Sequence, residues 1–195
     1  MKLLIRDYHE RDQEGWLRCR VLSFLHTAYY DNVYRKKEKY EHPSIELVAD
    51  QGGLIIGLMD IEYEEKAHTV CSACSQLGAM IWHLAVHPDF QRRGIGSQLL
   101  AEAEIKLADL NIFQLEAYTR DDEWVNHWYR EKGFREVSHY LHVFMEGDEM
   151  QDIVCKTTEG VKPINCFAHY KGKNEDQIKK KFRRVHECRC YRKNI

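Results

Sequence analysis

The sequence predicts one mixed α/β domain with a short C-terminal appendage. Three observations predict it. The chain has 195 residues, 44% of them hydrophobic and 31% charged, enough to bury a single core. Short apolar runs of strand length alternate with stretches of helical period. Residues 79–110 read as an apolar strand, a Gly-containing turn and a long amphipathic helix. With 11 Gly and 3 Pro, collagen-like and Pro/Gly-rich disordered chains are excluded. No apolar run approaches the roughly 20 residues of a membrane helix. The first residues lack the apolar core of a signal peptide, which leads us to expect a cytoplasmic protein.

Taken in order, residues 2–8 form a first strand. Asp12 caps a helix whose apolar face is Leu17, Val21, Phe24 and Leu25, and residues 28–39 form a second, polar helix before Pro43. Residues 45–50 and 54–63 are strands joined at Gly52-Gly53. Residues 64–78 have no period and read as loop, and 79–86 are a continuous apolar strand broken only by His83. The strongest helix is 94–110, with Ile95, Leu99, Leu100, Ala103, Leu107 and Leu110 on one face and Asn111 to end it. A strand at 112–119 and a helix at 121–132 stopped by Gly133 follow. Two last strands, 137–145 and 161–169, are joined by a long connection over 147–160. The domain is expected to end near residue 170. Residues 171–195 then form a basic helix and tail packed on it, because residues 174–177 resemble a capping box and Ile178, Phe182 and Val185 recur at helical spacing.

Charge is unevenly divided. Net charge is −2, but residues 171–195 carry +7 and the rest −9. A globally basic nucleic-acid binder is disfavoured. Seven Cys without a signal sequence read as reduced thiols. Cys71-x-x-Cys74 with His68, and His186-x-Cys188-x-Cys190, would close a zinc site only if the two ends met. The spacings are incomplete for a zinc ribbon, so no metal is expected.

The chemistry-bearing segment is residues 79–134. A Gly-rich turn after a strand lets backbone approach a ligand, and the helix that follows presents unpaired N–H groups and a positive dipole end suited to phosphate. Arg92 and Arg93 add charge there. Leu99 stands where a dinucleotide fingerprint needs a third Gly or Ala, so a Rossmann site is poorly matched, and no GxxxxGK[ST] occurs, so a P-loop site is excluded.

Residues 84–100, with Gln91-Arg92-Arg93-Gly94-Ile95-Gly96 at their centre, resemble motif A of the GCN5-related N-acetyltransferases (GNAT), whose signature is Q/R-x-x-G-x-G/A. Residues 128–134, Trp-Tyr-Arg-Glu-Lys-Gly-Phe, resemble the family's next motif. The resemblance implies a mixed, mostly antiparallel central sheet with splayed middle strands and flanking helices. It implies acetyl-CoA as cosubstrate, lying in the gap between strands 79–87 and 112–119. Backbone of Leu84, Ala85 and Val86 would pair with the pantetheine arm, and Gln91, Arg92, Arg93, Gly94, Ile95, Gly96 and Ser97 would hold the pyrophosphate. It further implies direct attack of an amine on the thioester, with Tyr129 protonating the departing thiolate.

An ammonium with pKa near about 10 must first lose a proton. The family's Asn, seven residues before the Tyr, is replaced by Asp122, and the nearest Asn is Asn126. Both are candidate coenzyme contacts. No acid lies within residues 79–86, so His83 is the candidate base, since histidine titrates near neutrality. Asp60, Glu62 and Glu116 on neighbouring strands are further candidates. The partner expected is a small-molecule or peptide amine, not nucleic acid or membrane. Dimerisation is common in the family, and no motif for it is found here. An acyl-CoA-binding sensor with little catalysis is the alternative.

Overall fold

A computed structural model describes residues 2–152 and 158–195. β1 (Leu3–Asp7) leads to α1 (Gln13–Phe24), and the hairpin of β2 (Ser44–Gln51) and β3 (Leu54–Tyr63) follows. Next come β4 (Gly78–Val86), α2 (Ile95–Asp109), β5 (Gln114–Thr119), α3 (Glu123–Glu131) and β6 (Arg135–Glu146). The described chain closes with β7 (Asn165–Tyr170), α4 (Glu175–Lys181) and β8 (Arg184–Asn194). The strands make one sheet in the order β1-β2-β3-β4-β5-β8-β6-β7. Every neighbouring pair is antiparallel except β4 and β5, which are parallel. This is the mixed, mostly antiparallel α/β fold that the family resemblance implies.

One face of the sheet carries α2 and α3. Ile95, Leu99, Leu100, Ala103 and Leu107 of α2 are buried with Leu47, Met59, Ile61, Leu115 and Ala117. At roughly 1.5–3 kcal/mol per large buried side chain, this stripe is a principal source of stability. Gly57 sets the distance of approach: a Cβ there would lie 2.9 Å from Ile95 Cγ2.

The other face carries α1, which departs from the expected apolar stripe. Its buried residues are Trp16, Cys19, Arg20 and Ser23, while Leu17, Val21 and Phe24 are half-buried and Leu25 is exposed. The helix is turned because it covers a polar cluster: Trp16 Nε1 donates to Asp60 (3.5 Å) and Arg20 Nε to His83 (3.4 Å). A hydrophobic period cannot register a polar buried stripe.

Two other expectations are corrected. Residues 28–39 are not a helix but an irregular strap across this face, because their hydrogen bonds go to the sheet and its ends. Asp122 accepts from Ala28 N, Asp31 pairs with Arg184 (2.6 Å), Lys37 with Asp60 (2.8 Å), and Glu62 accepts from His42 N (2.7 Å). The domain also does not end near residue 170. The helix of the tail is only Glu175–Lys181, and β8 then enters the sheet between β5 and β6, with Cys188, Cys190 and Tyr191 buried. The basic tail finds its acids within the same chain: Arg189 with Glu136 (3.3 Å), Lys193 with Glu104 (2.5 Å) and Arg183 with Asp148 (2.9 Å). The expected connection over 147–160 falls partly outside the described residues.

Candidate active site

The site begins where β4 and β5 part. Their register runs Gly78↔Gln114 to Ile81↔Ala117 and stops. At that point β4 bulges: Ile81 pairs with Ile61 and His83 with Asp60, leaving Trp82 as the extra residue. A bulge bends its strand and ends local pairing. Beyond it, Leu84, Ala85 and Val86 keep their register with Met59, Leu58 and Gly57 of β3, but β5 no longer follows on the other side. One backbone edge of these three residues therefore borders a widening gap.

The gap runs toward the first turn of α2. Gln91 Nε2 donates to Val86 O (3.1 Å), tying the turn to the strand end. Arg92 has φ 58 and Gly94 φ 76, two left-handed residues that swing the chain into the helix. The left-handed form costs a non-glycine residue about 1 kcal/mol, and such conformations cluster at ligand sites. The first amides of α2 have no partner within the helix and point along its positive dipole end. Arg92 and Arg93 are exposed beside them, and Arg93 also donates to Asp89 O (2.9 Å). Gly96 faces Trp128 and Val86, where a Cβ would make ordinary contacts of 3.6 and 3.8 Å. Ser97 is half-buried in the same turn.

Tyr129 is buried at 5% exposure in a nest of rings. It stacks on Tyr191 (5.4 Å, 11°) and meets Trp128 and Phe134 edge-on. Burial, and then Tyr29 and Tyr191, push its phenol well above the ordinary range, so it stays protonated at neutral pH. Among the described residues its hydroxyl makes no hydrogen bond. Asn126 supports this nest: its Oδ1 accepts from Tyr191 OH (2.9 Å), and its Nδ2 donates to Arg120 O (2.7 Å) and Asp122 O (2.9 Å). Asp122 holds the strap through Ala28 N (3.0 Å). Both candidates are thus engaged in holding the protein together at the start of α3.

The base candidates are dispersed. His83 is buried between Trp16 and Tyr34, and both its ring nitrogens are occupied. Arg20 has only donors, so Nδ1 accepts and Nε2 carries the proton toward Glu38 Oε1 (2.7 Å). That hydrogen bond, with the Arg20 charge, lowers the Glu38 carboxyl against the opposing effect of burial and keeps it ionised. Asp60 is fully buried against Lys37, Tyr40 and Trp16; burial raises its carboxyl and Lys37 opposes the shift. Glu62 accepts from Trp82 Nε1 (2.7 Å). Glu116, opposite Met80, is one pair from the point where β4 and β5 part, and its carboxylate is taken up by Ser72 and Ala73 N.

Sequence reasoning missed the strap's contribution. Glu38, Tyr40, Glu41, His42, Glu62 and Trp82 line a cavity of about 410 Å³ beside the bulge. No linear pattern links residues 38–42 to residue 82. The alternation that puts Asp60 and Glu62 on one face was the single available signal.

The geometry has known counterparts. Residues 43–136 match the acetyltransferase (GNAT) domain family. No curated protein matches the sequence. Solved structures of the same fold include the ribosomal-protein-S18-alanine N-acetyltransferase from Escherichia coli (14% identity, covering 100% of this chain and 94% of that one, TM-score 0.60). The PaiA N-acetyltransferase from Thermoplasma acidophilum in complex with coenzyme A is also similar (16%, 100% of both chains, TM-score 0.56). So is a GNAT-family acetyltransferase from Streptococcus pneumoniae (16%, 100% and 99%, TM-score 0.61). Residues 43–136 thus resemble a GNAT acetyltransferase domain, and the whole chain shares the fold of these acetyltransferases.

Proposed function

We propose that this protein moves an acetyl group from acetyl-CoA to a primary amine by direct attack. The observation that carries the reading is Tyr129, a buried phenol kept protonated by its surroundings, with a hydroxyl that bonds to nothing described, in the helix after the parting strands. The coenzyme's pyrophosphate lies on the amides of residues 92–97, and its pantetheine arm follows the free edge of Leu84–Val86. Each charge-assisted amide contact is worth roughly 1.5–3 kcal/mol. The amine nitrogen bonds to the thioester carbonyl carbon, the C–S bond breaks, and Tyr129 gives its proton to the thiolate. Of the two protons the ammonium loses, one restores the Tyr129 phenol and the other leaves through water on the Glu38 side, where His83 orients the carboxylate.

The acceptor enters by the cavity at Glu38, Tyr40, Glu62 and Trp82, whose carboxylates and ring faces suit an ammonium. The reading places the reaction in the cytoplasm, and the six cysteines among the described residues are free thiols. A thiol-release screen with acetyl-CoA over diverse amines, after calorimetry has established coenzyme binding, tests the reading. Release with at least one amine is expected. The occupied nitrogens of His83 favour one other reading, an acyl-CoA sensor, and coenzyme binding without release from any amine would select it.

A further inference from the structure

The closed end of the β4–β5 pair holds chemistry that acetyl transfer does not use. Residues 64–77 fold over it, and Cys71 Sγ, Cys74 Sγ and a Glu116 oxygen lie within 4.8 Å of one another. Their exposures are 3%, 3% and 0%. This differs from the closure weighed from the sequence. His68 is exposed and not in the cluster, and His186 pairs instead with Asp121 (2.8 Å). Glu116, from β5, is the residue that joins the two thiols.

Three features of this cluster point to a cation. The first is charge. Glu64 and Glu116 are both buried, and among the described residues neither forms an ion pair. Glu64 is met by the amides of Val70, Cys71 and Gly78, and Arg192, across the strand from Glu116, donates to Ala73 O (2.7 Å). The second is acceptor capacity. A carboxylate has about four acceptor sites. Glu116 uses three: Oε1 takes Ser72 N (3.2 Å) and Ser72 Oγ (3.0 Å), and Oε2 takes Ala73 N (2.6 Å). The third is space. Both sulfurs rest on Gly78, where a Cβ would lie 2.5 Å from Cys74 Sγ and 3.0 Å from Cys71 Sγ. Bare backbone there lets the thiols converge on the spare lone pair.

We propose that Cys71, Cys74 and Glu116 bind one zinc ion. Two thiolates and a carboxylate suit a borderline-soft ion without redox chemistry. Binding forms two Zn–S bonds and one Zn–O bond, the two thiol protons pass to solvent, and water completes the fourth position. The ion staples the loop to β5. The sulfurs sit at Gly78, three residues or about 10 Å of strand before the last β4–β5 pair at Ile81, and Glu116 reaches them from opposite Met80.

The test uses the full-length chain, reduced and made metal-free, with zinc offered in competition with a chromophoric chelator. One equivalent is expected to bind, and Cys71→Ser or Cys74→Ser to weaken it at least tenfold. Cobalt(II) in its place should give a thiolate charge-transfer band. Alkylation followed by peptide mapping reads the parent chain itself, whether or not the variants fold: zinc should protect Cys71 and Cys74 and no other cysteine. Zinc binding no tighter than by the double serine variant, protection at other cysteines, or a chain isolated two hydrogens lighter with these residues as a disulfide would each overturn the proposal. Coenzyme binding should be unchanged by zinc, which keeps this outcome separate from that of the acetyltransferase reading.

Discussion

Strands β4 and β5 behave in two ways along one short length. From Gly78 to Ile81 they are paired, and the loop above them is tied down by buried carboxylates that take its amides. From Trp82 onward they part, leaving a free strand edge that runs toward a helix start, while the phenol of Tyr129 in α3 is buried and protonated. One extra residue in β4 divides the two regions. Where backbone groups find partners in the sheet the protein gains stability. Where a bulge withholds those partners, it keeps a free backbone edge, the surface to which we assign the coenzyme.

The sharpest way to break the comparison is at Tyr129. Tyr129→Phe should lower kcat by about 100-fold, about 2.7 kcal/mol of barrier, with acetyl-CoA affinity within twofold of the parent. Steady-state kinetics beside calorimetry would measure both, and an unchanged kcat would remove Tyr129 as the acid. Next is Gly94, at φ 76 and opening α2. Gly94→Val strains that conformation and crowds the pyrophosphate. Acetyl-CoA affinity should fall by roughly tenfold or more, about 1.4 kcal/mol, with the circular dichroism of the fold retained.

A smaller effect is expected at the cavity. Glu62→Gln keeps the shape but removes a charge beside Trp82, and should raise KM for a cationic amine by about fivefold, near 1 kcal/mol, without altering coenzyme binding. Equal KM values for parent and variant would move the acceptor elsewhere.

The smallest effect is a pH dependence of stability. Arg120 holds the strap at Ala28 O and also donates to His142 Nδ1 (3.1 Å). Burial, then the Arg120 charge, drives the His142 imidazole down to about 3. In the unfolded chain it titrates near about 6.5. Between these values the unfolded state binds the extra proton, so this contribution is complete above about 6.5 and is lost as pH falls toward 3. Tm should be lower at pH 5 than at pH 7, and His142→Gln, which still offers Arg120 an acceptor, should reduce the difference. An identical difference in the variant would assign the pH dependence to other groups.

Much of the site was legible because it is local. The turn before α2, the face of that helix and the position of Tyr129 ahead of Gly133 all lie within a few residues of one another, where spacing governs geometry. The buried face of α1 was misread because its partners, Asp60 and His83, are polar and distant in sequence. The strap over 28–39 was misread for a similar reason. Its polar residues suited a solvated helix, yet Lys37, Glu38 and Tyr40 each close on a group in β3 or β4.

The sequence by itself determined the strand, the glycine turn and the helix of residues 79–110, and the place of Tyr129 one residue into the last turn of a later helix. Hydrophobic period and left-handed glycine are properties of neighbouring residues. Only the tertiary structure decided that a charged C-terminal segment becomes an inner strand, that the acids of the body neutralise it, and that Cys71, Cys74 and Glu116 meet. Strand pairing and charge pairing act between residues far apart in the chain. A segment such as 184–194 reveals its conformation only when β5 and β6 stand on either side to take its hydrogen bonds.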